Sequence, residues 1–213
     1  FQGVLTAPVG ATVVTPLTTL AQALLDSGQA SAAQGAASLV QQALGLPSIA
    51  LLNYEPLDVL ASSTASAADK AMALSVQKTA IQVANLIAQV GAAISAGSDV
   101  TALEAGNAAI AALASAMAAN QRVDLADSAA VLGVVLGAAS NAGIAQNATN
   151  LPLLARDVAS IIAASNAATA NAQNITQLAQ SAVVAQSSAI AAIASGVAAG
   201  SLGSAVNGFT GAA

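Results

Sequence analysis

Leu17, Leu20, Leu24 and Leu25 recur at i, i+3, i+7 and i+8, a spacing that lines one face of a helix with apolar side chains. Thr15 gives that helix a hydroxyl cap, Pro16 sits at its first position, where a missing N–H costs nothing, and Gly28 ends it. A second helix is predicted over 31–44, with Ser31 and Gln34 spaced as a capping box and Gly45 then Pro47 as the stop. The two form a short hairpin. Residues 49–63 lose the periodicity and read as an irregular connection. From Ser66 the pattern lengthens: Leu74, Ile81, Val83, Leu86, Ile87, Val90 and Ile94 keep helical spacing up to Gly97, predicting one helix of about 30 residues and about 45 Å. Ser98 caps the next, to about residue 120, with Asp99 suited to its positive end. Asp124 or Leu125 opens another, to about residue 146. Asn150 caps the last stretch, with Leu151 and Pro152 in its first turn and Leu154, Val158, Ile161 and Ile162 on its apolar face. Helical signal continues to about residue 199, with a break near 171–174.

Residues 1–14 are rich in Val, Thr, Gly and Pro instead, an extended-chain composition in which 4–6 and 11–14 are candidate short strands. The predicted fold class is therefore all-α: an antiparallel bundle of six or seven Ala-rich helices behind a short extended N-terminal arm. The division is arm 1–14, helical hairpin and loop 15–62, long-helix bundle 63–200 and Gly-rich tail 201–213. Alanine has the best helix propensity, and its small side chain lets helix axes approach closely. Gly133 and Gly137, four apart inside a helical pattern, point the same way, to tight helix contact.

Composition changes this picture in two ways. Charged residues are 6% of the chain, against about 25% in a typical soluble domain, and mean hydropathy is +0.75. Asp157 is the last charged side chain, so residues 158–213 carry none. Such hydropathy raises the possibility of membrane insertion, but the longest uninterrupted apolar run, 129–139, falls short of the roughly 18–20 residues that cross a bilayer. Elsewhere Gln, Asn, Ser and Thr interrupt every three or four positions. The expectation is a soluble bundle without a transmembrane span, whose outer faces use amides and hydroxyls in place of charges. A net charge of −5 and the lack of any basic run exclude a phosphate-binding surface for nucleic acid.

Two Phe residues occur, each in Phe-x-Gly: Phe1-Gln2-Gly3 and Phe209-Thr210-Gly211. Either the second repeats the register of the first, so that modules join head to tail, or each Phe closes one end of a bundle. Joining would use Phe1, Gly3, Val4, Leu5, Phe209 and Gly211. The block from Leu5 to Leu20 (LTAPVGATVVTPLTTL), followed by Ala43-Leu-Gly-Leu-Pro47 and Asn53-Tyr-Glu-Pro-Leu57, resembles helical modules of very large secreted bacterial surface and adhesin-like repeat proteins. The resemblance covers residues 1–60; the Ala-rich remainder matches in composition alone. It implies a structural, extracellular or cell-surface role in an adhesin stalk or filament, with self-association or neighbouring modules as partners and no catalytic residues to carry over. The absence of Cys fits an exported chain, and the start on Phe1 fits a processed product or a piece of something longer.

Catalytic chemistry is not expected. No His and no Cys means no His-based acid catalysis and no zinc or iron site of the usual donors. Asp124 with Asp127, and Glu55 with Asp58, are spaced as carboxylate pairs, but Asp at a helix start is first a cap. Lys70 and Lys78 read as a solvated helix face. Asn53, Glu55 and Asp58 could supply part of a calcium shell, without the Asp-x-Asp-x-Asp-Gly loop that would make it specific. Asn147-Ala-Thr149 and Asn174-Ile-Thr176 match the glycosylation pattern. Two further classes stay open: a lipid- or pigment-binding bundle with an Ala-lined cavity, and an ice-binding protein with Ala and Thr on flat helix faces.

Overall fold

A computed structural model describes residues 3–119, 122–145 and 150–211. The described residues form nine helices and no strand: α1 (Pro16–Asp26), α2 (Ala33–Ala43), α3 (Pro56–Ala61), α4 (Ala67–Ala96), α5 (Ala102–Ala118), α6 (Ser128–Asn141), α7 (Leu151–Ala170), α8 (Ile175–Ala198) and α9 (Gly203–Thr210). The predicted six or seven helices become nine because two segments expected to be irregular are helical. In the 49–63 connection, Glu55 accepts from Leu57 N–H and Pro56 takes the first helical position, which starts α3. In the tail, Val206 and Phe209 lie three apart and pack on the core, which makes α9 helical.

Several ends fall where the caps put them. Thr15 and Ser66 each form a capping box, and the break at 171–174 closes with Asn174 accepting from Gln177 N–H. Others move. Ser31 and Gln34 form no box: Ala32, extended, is the N-cap, which leaves Ser31 one residue outside the helix. Ser98 closes α4 by donating to the Ile94 carbonyl at 2.7 Å, and Thr101 caps α5 in a box with Glu104. Asp124 holds a turn through Ala126 N–H, and Asp127 caps α6 through Ala130 N–H at 2.8 Å. That helix stops at Asn141 because Gly143 adopts φ +78, and the N–H of Ile144 returns to the Ala139 carbonyl. Asn150 stands at the start of α7 with φ +73, and its side chain makes no cap. The expected helix ends near residues 120 and 146 lie outside the described residues.

The described part of the arm forms no strand: it turns at Val9 and Gly10, where the Ala11 N–H returns to the Pro8 carbonyl. Other N–H groups meet side chains and a loop carbonyl: Val4 N donates to Asn107 Oδ1, Thr6 N to Thr19 Oγ1, and Thr12 N to the Leu52 carbonyl. One buried cluster runs from Leu17 to Leu202, with α4 at its centre, touching α1, α3, α5, α6, α7 and α8. Leu86, Ile87 and Val90 of α4 are fully enclosed. Close approach is visible where a Cβ on Gly137 would stand 3.2 Å from that of Ala112; at Gly133 nothing lies within 4 Å, so only one of the two glycines is a contact.

Candidate functional site

One side of α4 carries Lys78, Gln82, Asn85 and Gln89 at i, i+4, i+7 and i+11, a polar line inside an Ala-rich helix. It faces α7 and α8. Lys78 Nζ donates to the Ala170 carbonyl at 3.0 Å, placing a cation on the negative end of α7, so this side chain has more than a solvent role. Gln82 donates to the Asn166 carbonyl, and Asn85 donates to Asn166 Oδ1 and Thr169 Oγ1. Asn166 Nδ2 in turn reaches the carbonyls of Leu125 and Gln82. From α8, Gln186 donates to Asn85 Oδ1, while Gln89 Nε2 reaches the Ala185 carbonyl at 3.2 Å. Asn85, Gln89, Asn166 and Thr169 are fully buried. Gln89 Oε1 has no partner. Each partner removed from such a network costs about 1–3 kcal/mol.

Among the described residues two helices are long and apolar enough to cross a membrane by length and composition, α4 and α8. They differ in surroundings: 67% of the apolar window of α4 is buried, against 17% for α8. The outer face of α8 presents Ile175, Thr176, Ala179, Gln180, Val183 and Val184, with Val183 65% exposed. No charge lies anywhere on it. Polar side chains interrupt it, as the sequence suggests, but the apolar positions between them are left exposed among the described residues.

Near the start of α7, Ile94, Gly97, Val135, Leu154, Val158 and Val197 are among the residues lining an apolar cavity of about 140 Å³. A Cβ on Gly97 would stand 3.0 Å from Val197 Cγ1, so the two helices approach tightly there.

The residues singled out for chemistry have local partners. Asn53 Oδ1 accepts from Thr12 N and Oγ1, which fastens the arm; Glu55 caps α3; Asp58 lies in the first turn of the same helix. Among the described residues no three His, Cys, Asp or Glu side chains gather to hold a metal. Burial, with Asp69 adding to it, raises the Tyr54 phenol above its usual value. The hydroxyl and N–H of Thr101 hold the Glu104 carboxyl below the usual range. Of the joining residues, Phe1 lies outside the described residues. Val4 and Leu5 are exposed, Phe209 is half-buried against the core, and Gly3 and Gly211 have positive φ. Asn147 and Thr149 also lie outside the described residues, and Asn174 is the cap of α8. The amide line of α4 was readable as a polar stripe; which helices it meets was not.

No family model, curated protein or solved structure matches this chain.

Proposed function

We propose that the chain is a structural packing module, a building block of a bacterial surface layer, adhesin stalk or filament that associates with copies of itself or with neighbouring modules. The observation that carries this reading is the uncovered, charge-free outer face of α8. Uncharged faces can approach without like-charge repulsion, and exposed contiguous apolar surface marks a contact site. An antiparallel run of successive long helices belongs to the same reading. It is supported by the pairing of Lys78 with Ala170 and of Ile94 with Leu154 across α4 and α7. We place joining at α8 and at exposed Val4 and Leu5; Phe209 is half-buried against its own chain, and Phe1 lies outside the described residues. The bacterial surface setting rests on the resemblance of residues 1–60.

Sedimentation velocity and electron microscopy test it. The chain is expected to form concentration-dependent assemblies, and Ile175→Glu with Val183→Glu is expected to return it to single chains with unchanged circular dichroism. A wild-type chain that stays single at the highest attainable concentration sinks the reading.

An apolar-ligand bundle is the second reading, favoured by the cavity beside Gly97. Its 140 Å³ is below the roughly 300–1,000 Å³ of sites that enclose a drug-sized ligand, which limits a guest to about the size of benzene and disfavours a pigment.

A further inference from the structure

Within α8, Val184–Ala189 is a π-helical stretch. Such stretches are rare and arise where one extra residue is taken into an α-helix. The buried pattern of the helix gives a reason for it. Ser181, Ala185, Ala189, Ile193 and Val197 are all half-buried or buried, and they are spaced by four. Each four-residue step overshoots an α-helical turn by about 40°, so such a run walks off a straight neighbour. A wider turn in the middle cancels the drift and keeps both halves against α4.

In a π stretch each carbonyl accepts from the N–H five residues on in place of four. Two carbonyls at its start also accept from side chains. Ser187 Oγ donates to the Val183 carbonyl at 2.5 Å, and Gln89 of α4 donates to the Ala185 carbonyl at 3.2 Å. The next residue, Gln186, donates to Asn85 of α4. Both inter-helix amide bonds therefore land on adjacent residues inside the π stretch. Gln89 is fully buried and its Oε1 is unpartnered, so this side chain is kept in the core at a cost, by what its Nε2 does.

We propose that Val184–Ala189 is a register latch: one surplus residue is held in α8 by Gln89 and Asn85, and this is the point at which the first half of α8 can turn against α4 independently of the second. Because Ile175, Ala179 and Val183 all lie in the first half, the latch sets which way the exposed apolar face of α8 points.

The test is a pair of changes made singly and together in the full chain: Gln89→Leu, and removal of exposed Ser188. Removing one residue lets the ladder run through Ala185 in ordinary α spacing, so there is no wide turn left for the Gln89 amide to hold. In the wild-type background Gln89→Leu is expected to lower Tm by several degrees and to speed amide hydrogen exchange over 184–189 by about tenfold or more. In the chain lacking Ser188 the same substitution is expected to leave Tm unchanged or raise it, with exchange over that stretch slow in both forms. An equal loss in both backgrounds overturns the latch, as does no loss in the wild-type background. If Gln89→Leu alone does not fold, folding of the combined variant supports the proposal and its failure overturns it. Loss of helix on removing Ser188 alone means the residue is not surplus, and the proposal fails.

Discussion

α4 and α8 are similar helices by composition and are used in opposite ways. Their mean hydropathies over an 18-residue window are 1.3 and 1.5, yet α4 is the centre of the core and α8 lies on its outside. Burial is thus decided by what the rest of the chain brings to a helix. α4 has six helices around it, including four that follow it in sequence; α8 packs on the outside of that core, and one side of it is left open. The more apolar helix is the more exposed one, and for this reason its surface carries the functional reading.

The comparison breaks most readily at buried bulk. Leu86→Ala on α4 is expected to cost about 2–5 kcal/mol, since surrounding side chains refill such a space only in part, whereas Val183→Ala on α8 is expected to cost less than about 0.5 kcal/mol. Urea unfolding of the two variants checks this, and similar losses would mean that α8 is covered in solution. Next in size is Asn166→Ala, which strips partners from Asn85, Gln82 and the Leu125 carbonyl together. A loss of about 1–3 kcal/mol is expected; a neutral result would show that the amide network adds no stability to the α4–α7 contact. Smallest is the cap of α5. Thr101→Ala is expected to cost about 1 kcal/mol. Because Thr101 holds the folded Glu104 carboxyl below its unfolded value, the stabilisation that the ionised carboxyl adds to the box is present above the ordinary carboxylate range and fades as pH falls through the folded value. Unfolding at pH 7 and at pH 3 should therefore show a smaller difference between wild type and Glu104→Gln in acid. A difference that grows in acid contradicts the assignment.

Local signals made much of the fold legible. Thr15-Pro16, Ser66 and Gly97 mark helix ends because the groups that satisfy a terminal N–H or carbonyl lie within a few residues of it. Thr101 and Glu104 were as readable, with capping-box spacing, and Ser98 distracted from them by standing just after Gly97. Gly143 was another overlooked stop, hidden among Ala, Asn and Ile that continue a helical pattern. The α4 amide line was visible as a stripe of the right period, but its partners are separated from it by some 80 to 100 positions, and periodicity fixes a face without naming what faces it. The π stretch is a similar case: spacing by four can be seen in the sequence, whereas the Ala185 carbonyl gains its side-chain donor only once Gln89 is opposite. For the proposed contact surface, hydropathy ranked α8 with the core, and only the filled space around α4 separates them.

Arg122 lies in the connection between α5 and α6, with its guanidinium so close to Gly45 that a Cβ there would stand 2.8 Å from Nη2. The other cations, Lys70, Lys78 and Arg156, are inside helices. A protease that cuts after basic residues therefore meets a single site outside regular structure. Cleavage there would divide the chain into α1–α5 and α6–α9, which would stay clasped by the interface that α4 makes with α7 and α8. Cleavage by a trypsin-like enzyme is thus expected to leave the two pieces associated under native conditions.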